Sequence, residues 1–229
     1  MTGAAAGLRI QPERVRELLR MYLVVGSPNC RGADPLHIVE EALAGGVTLV
    51  QFREKGPGAL TGEARFALAL RLQDACRRKG VPFIVNDDVD LALRIGADGV
   101  HIGQEDESAG EVRARIGGRR LLGVSAHTPE EARRAVEQGA DYLGIGPIYP
   151  TASKADARPV QGTRLLSELR SLGISVPMVG IGGITAARAG DVVRAGADGV
   201  AVISAVTGVP AGEVRTGVKG FLTKIREAL

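Results

Sequence analysis

Gly96-Ala97-Asp98-Gly99-Val100-His101-Ile102-Gly103 returns as Gly139-Ala140-Asp141-Tyr142-Leu143-Gly144-Ile145-Gly146 and again as Gly196-Ala197-Asp198-Gly199-Val200-Ala201-Val202-Ile203. Each copy reads as the end of a helix, a tight turn and a buried strand. The leading Gly sits where a helix terminus needs a left-handed residue, and the β-rich run after it has the length of a parallel strand covered on both faces. Gly45-Gly46-Val47-Thr48-Leu49-Val50-Gln51 is a degenerate fourth copy. Polar residues follow these strands: Arg53, Glu54 and Lys55; Gln104, Glu105 and Asp106; Thr151, Ser153 and Lys154; Ser204. The pattern gathers the chemistry on one rim.

Working outward, periodicity predicts eight strands, near 21–25, 49–53, 83–86, 99–103, 121–126, 142–148, 177–182 and 199–204. Helical patterns separate them at about 35–45, 60–79, 88–95, 108–116, 129–138, 162–171 and 185–194, with a last one at 211–228. Strict alternation implies right-handed parallel crossovers, and eight units imply closure into a (β/α)8 TIM barrel. An open doubly wound sheet would carry a phosphate fingerprint after its first strand, and Gly26-Ser27-Pro28-Asn29 is not one. Residues 1–229 read as one domain, with 1–20 an N-terminal extension whose segment from Pro12 to Arg20 forms a helix under a barrel over 21–229. The irregular stretches Glu54–Gly62 and Pro150–Gly162 are lid candidates.

With 229 residues, 45% of them hydrophobic and 24% charged, the chain has the make-up of an ordinary globular protein. A net charge of +3, no Trp, three Tyr and four Phe argue against nucleic-acid binding. Arg77-Arg78, Arg119-Arg120 and Arg133-Arg134 belong to solvated helix ends and faces. Cys30 and Cys76 lack metal or redox spacing and suit a reducing compartment. No signal-like segment and no run of about 18 apolar residues occurs, so a cytoplasmic protein without membrane partners is expected, with homo-oligomerisation left open.

Gln51, Arg53 and Lys55 alternate along the second strand and its exit, an amide and two cations suited to a polyanionic group. Asn86-Asp87-Asp88 follows the third strand and Gln104-Glu105-Asp106 the fourth. Asp88 has the look of a helix cap, which leaves Asp87 to pair with a carboxylate from the neighbouring strand end. Such a pair beside phosphate ligands is how Mg²⁺ is held. Gly182-Gly183 and Ile203-Ser204 end the seventh and eighth strands, where barrels commonly bind phosphate through backbone N–H groups. Ser125 lacks a nucleophile-elbow frame, His127 is as well explained by a turn as by a base, His101 by core packing and His37 by a helix surface. Two anion sites and no nucleophile–base set fit displacement of pyrophosphate.

Seven ordered motifs carry a resemblance. They are Gln51-Phe52-Arg53-Glu54-Lys55, Asn86-Asp87, His101-Ile102-Gly103-Gln104-Glu105-Asp106, Gly123-Val124-Ser125-Ala126-His127-Thr128, Gly146-Pro147-Ile148-Tyr149-Pro150-Thr151-Ala152-Ser153-Lys154, Gly182-Gly183-Ile184 and Ile203-Ser204. Together they resemble the thiamine-phosphate synthase family, whose fold is a (β/α)8 barrel. The resemblance implies a transferase that joins a hydroxymethylpyrimidine diphosphate to a thiazole phosphate, with one Mg²⁺ per subunit, and releases pyrophosphate through a carbocation-like step. It implies that Gln51, Phe52, Arg53, Glu54, Lys55, Asn86, Ser125 and Lys154 hold the pyrimidine diphosphate, with Arg53, Lys55, Ser125 and Lys154 catalytic. Asp87 and Asp106 would ligate Mg²⁺, and Thr151, Ala152, Ser153, Gly183, Ile203 and Ser204 would surround the thiazole phosphate. The chain departs from the family's usual pattern at Ser153, where Thr is common, at Ser108-Ala109, and in the first loop. Two rivals are a thiazole tautomerase-like cousin, expected to lack the full carboxylate pair and to carry a His near Pro147, and a non-catalytic phosphate-binding barrel.

Overall fold

In the computed structural model, which describes residues 9–153 and 159–229, eight parallel strands close into a barrel in sequence order. They are β1 (Met21–Val25), β2 (Leu49–Phe52), β3 (Phe83–Asn86), β4 (Gly99–Ile102), β5 (Leu121–Ala126), β6 (Tyr142–Ile145), β7 (Met178–Ile181) and β8 (Gly199–Val202). The helices are α1 (Pro12–Leu19), α2 (Pro35–Gly45), α3 (Gly62–Arg78), α4 (Val89–Ile95), α5 (Ala109–Ile116), α6 (Pro129–Glu137), α7 (Arg164–Ser171), α8 (Ala186–Arg194), α9 (Ser204–Thr207) and α10 (Ala211–Arg226). All eight expected strands and nine expected helices are present. The 3₁₀ turn Ser27–Cys30 and the single turn α9 are additional, and β6 and β8 stop short of the sequence expectation because the chain leaves the ladder to build the rim.

The glycine at each repeat takes a positive φ, +107° at Gly46, +64° at Gly96, +96° at Gly139 and +115° at Gly196. The third residue of the repeat then makes a clamp. Asp98 donates its N–H to Phe83 O (2.9 Å), and its carboxylate accepts the N–H of Phe83 (2.8 Å). Asp141 does the same with Leu122 (2.8 and 2.8 Å), and Asp198 with Met178 (2.7 and 2.8 Å). In the degenerate copy Thr48 takes over, donating its N–H to Met21 O while its hydroxyl oxygen accepts the Met21 N–H, both at 2.9 Å. Four times, an even strand is thus tied at its start to the odd strand before it, satisfying an N–H that the parallel ladder leaves over.

Strand side chains alternate between two cores. Outward residues such as Val50, Phe52, Phe83, Val100 and Leu143 pack beneath the helices. Tyr22, Val24, Leu49, Ile84, Leu121, Tyr142, Val179 and Ala201 fill the barrel, and Val15, Leu18 and Leu19 of α1 join them from below, so α1 plugs the N-terminal mouth. The opposite mouth is left for the polar strand exits.

Cys30 and Cys76 are buried, and burial pushes their thiols up to about 11 and about 12, so neither offers a thiolate near neutral pH. No helix among the described residues is long and apolar enough to cross a membrane.

Candidate active site

The C-terminal mouth holds a cavity of about 470 Å³ to which most of the eight strand exits contribute. On one side stand Arg53 and Lys55 after β2, Asn86 at the end of β3 with Asp87 after it, and Gln104, Glu105 and Asp106 after β4. Thr151 and Ser153 after β6, Gly182 and Gly183 after β7, and Ile203 and Ser204 after β8 face them across the opening. Ser125 and His101 form part of the floor.

The acidic side is built by strain and charge. Asp87 is held at φ +61°, a left-handed conformation that few residues other than Gly, Asn and Asp tolerate. Its carboxylate accepts a bond from Lys55 Nζ at 3.1 Å. Asp88 caps α4, its carboxylate accepting the Leu91 N–H at 2.8 Å, the cap that the sequence reading expected. The carboxylate of Asp106 accepts the Gly103 N–H at 2.7 Å. Burial, together with the hydrogen bond and the charge of Asp106, raises the Asp87 carboxyl above its ordinary value, while Lys55 pulls it down. Two carboxylates in contact repel unless a proton or a cation lies between them. Among the described residues no group of three or more His, Cys, Asp or Glu could enclose a metal. Two carboxylates with room beside them for phosphate oxygens and water are a donor set that a hard divalent cation such as Mg²⁺ accepts, since it rarely takes an all-protein cage.

On the far side Ser153 and Ser204 share a hydroxyl–hydroxyl bond of 2.9 Å, and the Ser153 N–H donates to Thr151 Oγ1 at 3.2 Å. Ser204 opens α9 without capping it, so its hydroxyl is not consumed by the helix start. Gly183 is obligatory here: at φ +62° an added Cβ would lie 2.4 Å from Pro150 O.

Several expected site residues stand elsewhere. Gln51 does not line the cavity; it is 3% exposed inside the barrel, and its amide N–H donates to the Tyr22 hydroxyl. Phe52 points the other way, stacked on Phe83 under the helix layer, because the pleat sends consecutive residues to opposite faces. Glu54 braces two loops, its carboxylate accepting from Ser27 N and Leu60 N at 2.8 Å each, and also from the Ser27 hydroxyl. Ala152 is not a cavity-lining residue. Lys154 lies outside the described residues. The cavity also gains residues that periodicity left aside. Arg31, in left-handed conformation after the first 3₁₀ turn, reaches it from a loop with no recognisable motif. His101 and His127 line it too. Period-two counting down β4 from Gly103 would have turned His101 inward; no local signal marks Arg31.

A family model described as thiamine monophosphate synthase matches residues 21–206. A thiamine-phosphate synthase of Geobacillus kaustophilus is 60% identical over 205 residues, 89% of this chain and 91% of that protein. One from Bacillus velezensis is 53% identical over 220 residues, 96% of both chains. The solved thiamine phosphate pyrophosphorylase of Pyrococcus furiosus superposes with a TM-score of 0.82 at 34% identity, covering 94% of this chain and 99% of its own. The strand-exit motifs, the closed barrel and these relatives agree, and the chain belongs to the thiamine monophosphate synthase family of transferase enzymes.

Proposed function

We propose that the chain joins 4-amino-2-methyl-5-(diphosphooxymethyl)pyrimidine to 4-methyl-5-(2-phosphoethyl)thiazole, giving thiamine phosphate and pyrophosphate, with Mg²⁺. The observation that carries this reading is one cavity with a cationic and acidic wall, suited to a diphosphate, facing a hydroxyl- and glycine-lined wall suited to a phosphate. Arg53 supplies a planar fork and Lys55 a mobile charge to the diphosphate, and the family resemblance adds Lys154 as a third cation. Asp87 and Asp106 would hold Mg²⁺, which when bound supplies further positive charge beside the departing pyrophosphate. Backbone N–H groups at Gly183, Ile203 and Ser204, with the Thr151 and Ser153 hydroxyls, position the second substrate.

The aminopyrimidine is electron-rich and can stabilise a benzylic cation as the C–O bond breaks, so the protein must neutralise the leaving group and keep water away. The thiazole nitrogen then attacks, and no side chain needs to remove a proton. His127 donates its Nδ1–H to Gly146 O at 2.8 Å, and the dissociative path calls on neither of its ring nitrogens. Pyrophosphate release is measured with both substrates and with each alone, in Mg²⁺ and in excess EDTA. Release only with both substrates, lost in EDTA, is the expected result. Release from the pyrimidine diphosphate alone at the same rate would make the chain a hydrolase, and no release would leave a binding barrel.

A further inference from the structure

A run of hydrogen bonds descends from Ser125 into the barrel. Ser125 Oγ lies 3.0 Å from His101 Nε2, His101 Nδ1 lies 2.9 Å from the Tyr142 hydroxyl, and that hydroxyl lies 2.9 Å from the Tyr22 hydroxyl. Gln51 Nε2 closes the far end on Tyr22. The path is built for these rings: at Gly123 an added Cβ would fall 2.1 Å from Tyr142 Cζ and 2.5 Å from His101 Nδ1. Burial raises both phenols above their ordinary value, so each keeps its single proton.

The direction of the chain follows by counting donors. Gln51 donates to Tyr22, so among the described residues the Tyr22 proton has Tyr142 to receive it. Tyr142 accepts that proton and gives its own to His101 Nδ1. His101 then carries its proton on Nε2 and donates it to Ser125 Oγ. Reversing any link strands a proton in the dry interior without an acceptor. We infer that His101 is a positioning residue: held as the Nε2–H tautomer by the Tyr142–Tyr22–Gln51 chain, it fills the acceptor site of Ser125 and turns that hydroxyl's own proton into the cavity. Ser125 thereby acts as a donor to an acceptor atom of bound substrate and cannot serve as a nucleophile activated by His101. The catalytic consequence rests on the synthase reading above; the tautomer does not.

The test is ¹⁵N NMR of the ligand-free wild-type protein near pH 8.5, about two units above the ordinary histidine value. Only three histidines need assigning, which His37→Gln and His127→Gln variants accomplish. His101 should show Nε2 protonated and Nδ1 bare. His127 gives the opposite pattern as internal reference, because Gly146 O can only accept. An Nδ1–H tautomer at His101 would overturn the inference whatever the activity. In the kinetic arm, Tyr142→Phe, which removes the donor to Nδ1, should lower kcat/KM about five- to tenfold in wild type and have no further effect in Ser125→Ala. Losses that simply multiply would mean that Tyr142 acts through general packing, and would also overturn it. A wild-type protein without synthase activity would refute the proposed function and leave the tautomer result standing.

Discussion

Replacing the three repeat aspartates by Ala should cost very different amounts, although the sequence presents them as equivalents. Asp141 is buried: its carboxylate takes the Leu122 N–H and bonds to Arg113 and to Arg9. The Arg113 side chain is 16% exposed, so Asp141→Ala leaves a buried N–H and a largely buried cation without their anion. Backbone carbonyls of Gly139, Gly117 and Arg120 still receive Arg113, which softens the loss to about 4 kcal/mol. Asp198 takes the Met178 N–H and Arg170 at 2.9 Å, with Arg16 more distant at 3.4 Å, and should cost about 3 kcal/mol. Asp98 is exposed and, among the described residues, its carboxylate takes the Phe83 N–H with no arginine beside it, so the lower end of the cost of a stranded N–H, about 1 kcal/mol, follows. At roughly 2–4 °C per kcal/mol for a chain of this size, Tm should fall by about 8–16, 6–12 and 2–4 °C respectively. Circular dichroism melts and urea midpoints would measure this. Equal losses at the three positions, or Asp98→Ala as the worst, would refute the account of the clamp.

Mg²⁺ should raise the Tm of the wild type; Asp87→Asn keeps the left-handed backbone that Asn tolerates, so it and Asp106→Asn should fold while losing that rise, with kcat/KM down on the order of 10²-fold or more; an undiminished Mg²⁺ shift would remove the metal assignment. In EDTA, the raised Asp87 carboxyl means the folded state binds its proton more tightly than the unfolded chain. Its contribution to stability is full below the ordinary value of 3.8 and is lost as pH rises through the raised value, and Asp106→Asn should flatten that decline in a pH series of urea midpoints. Lys55→Ala and Lys154→Ala should each lower kcat/KM on the order of 10²-fold in steady-state assays, as loss of one preorganised charge does. A trifluoromethyl group in place of the pyrimidine methyl should slow single-turnover reaction far more than it weakens binding, with His127→Ala mostly active; the reverse pattern would mean a base-assisted displacement.

The candidate site was legible in the sequence where each residue's exit from its strand is local information. Asp87, Asp106, Lys55, Thr151, Ser153, Gly183 and Ser204 all follow a strand end and all reach the rim or its loops. Asp88 declared itself as a cap by its place before α4. Apart from Ala152, the expected residues that stand away from the cavity belong to one motif. Gln51-Phe52-Arg53-Glu54-Lys55 reads as a continuous ligand set, yet the pleat and the barrel's depth scatter it. Arg53 and Lys55 reach the cavity, Gln51 stays a level below, Phe52 faces the helices and Glu54 braces Ser27 and Leu60.

Alternating strand and helix signals, with glycines where helices end, were enough to determine the barrel, because parallel strands covered on both faces have few ways to close and each βα unit carries its own stop and start. What only the tertiary structure decided is how identical letters are used. Asp98, Asp141 and Asp198 make one backbone clamp but differ in burial and partners: Arg113 of α5 and Arg9, before α1, reach Asp141, while Arg16 of α1 and Arg170 of α7 reach Asp198. His101 and Tyr142 meet across the barrel interior over 41 positions of sequence, a contact that depends on register between β4, β5 and β6. Local patterning sets the elements because propensity and periodicity act within a few residues; burial and hydrogen-bond partnership are properties of closure, and a closed barrel settles them all at once.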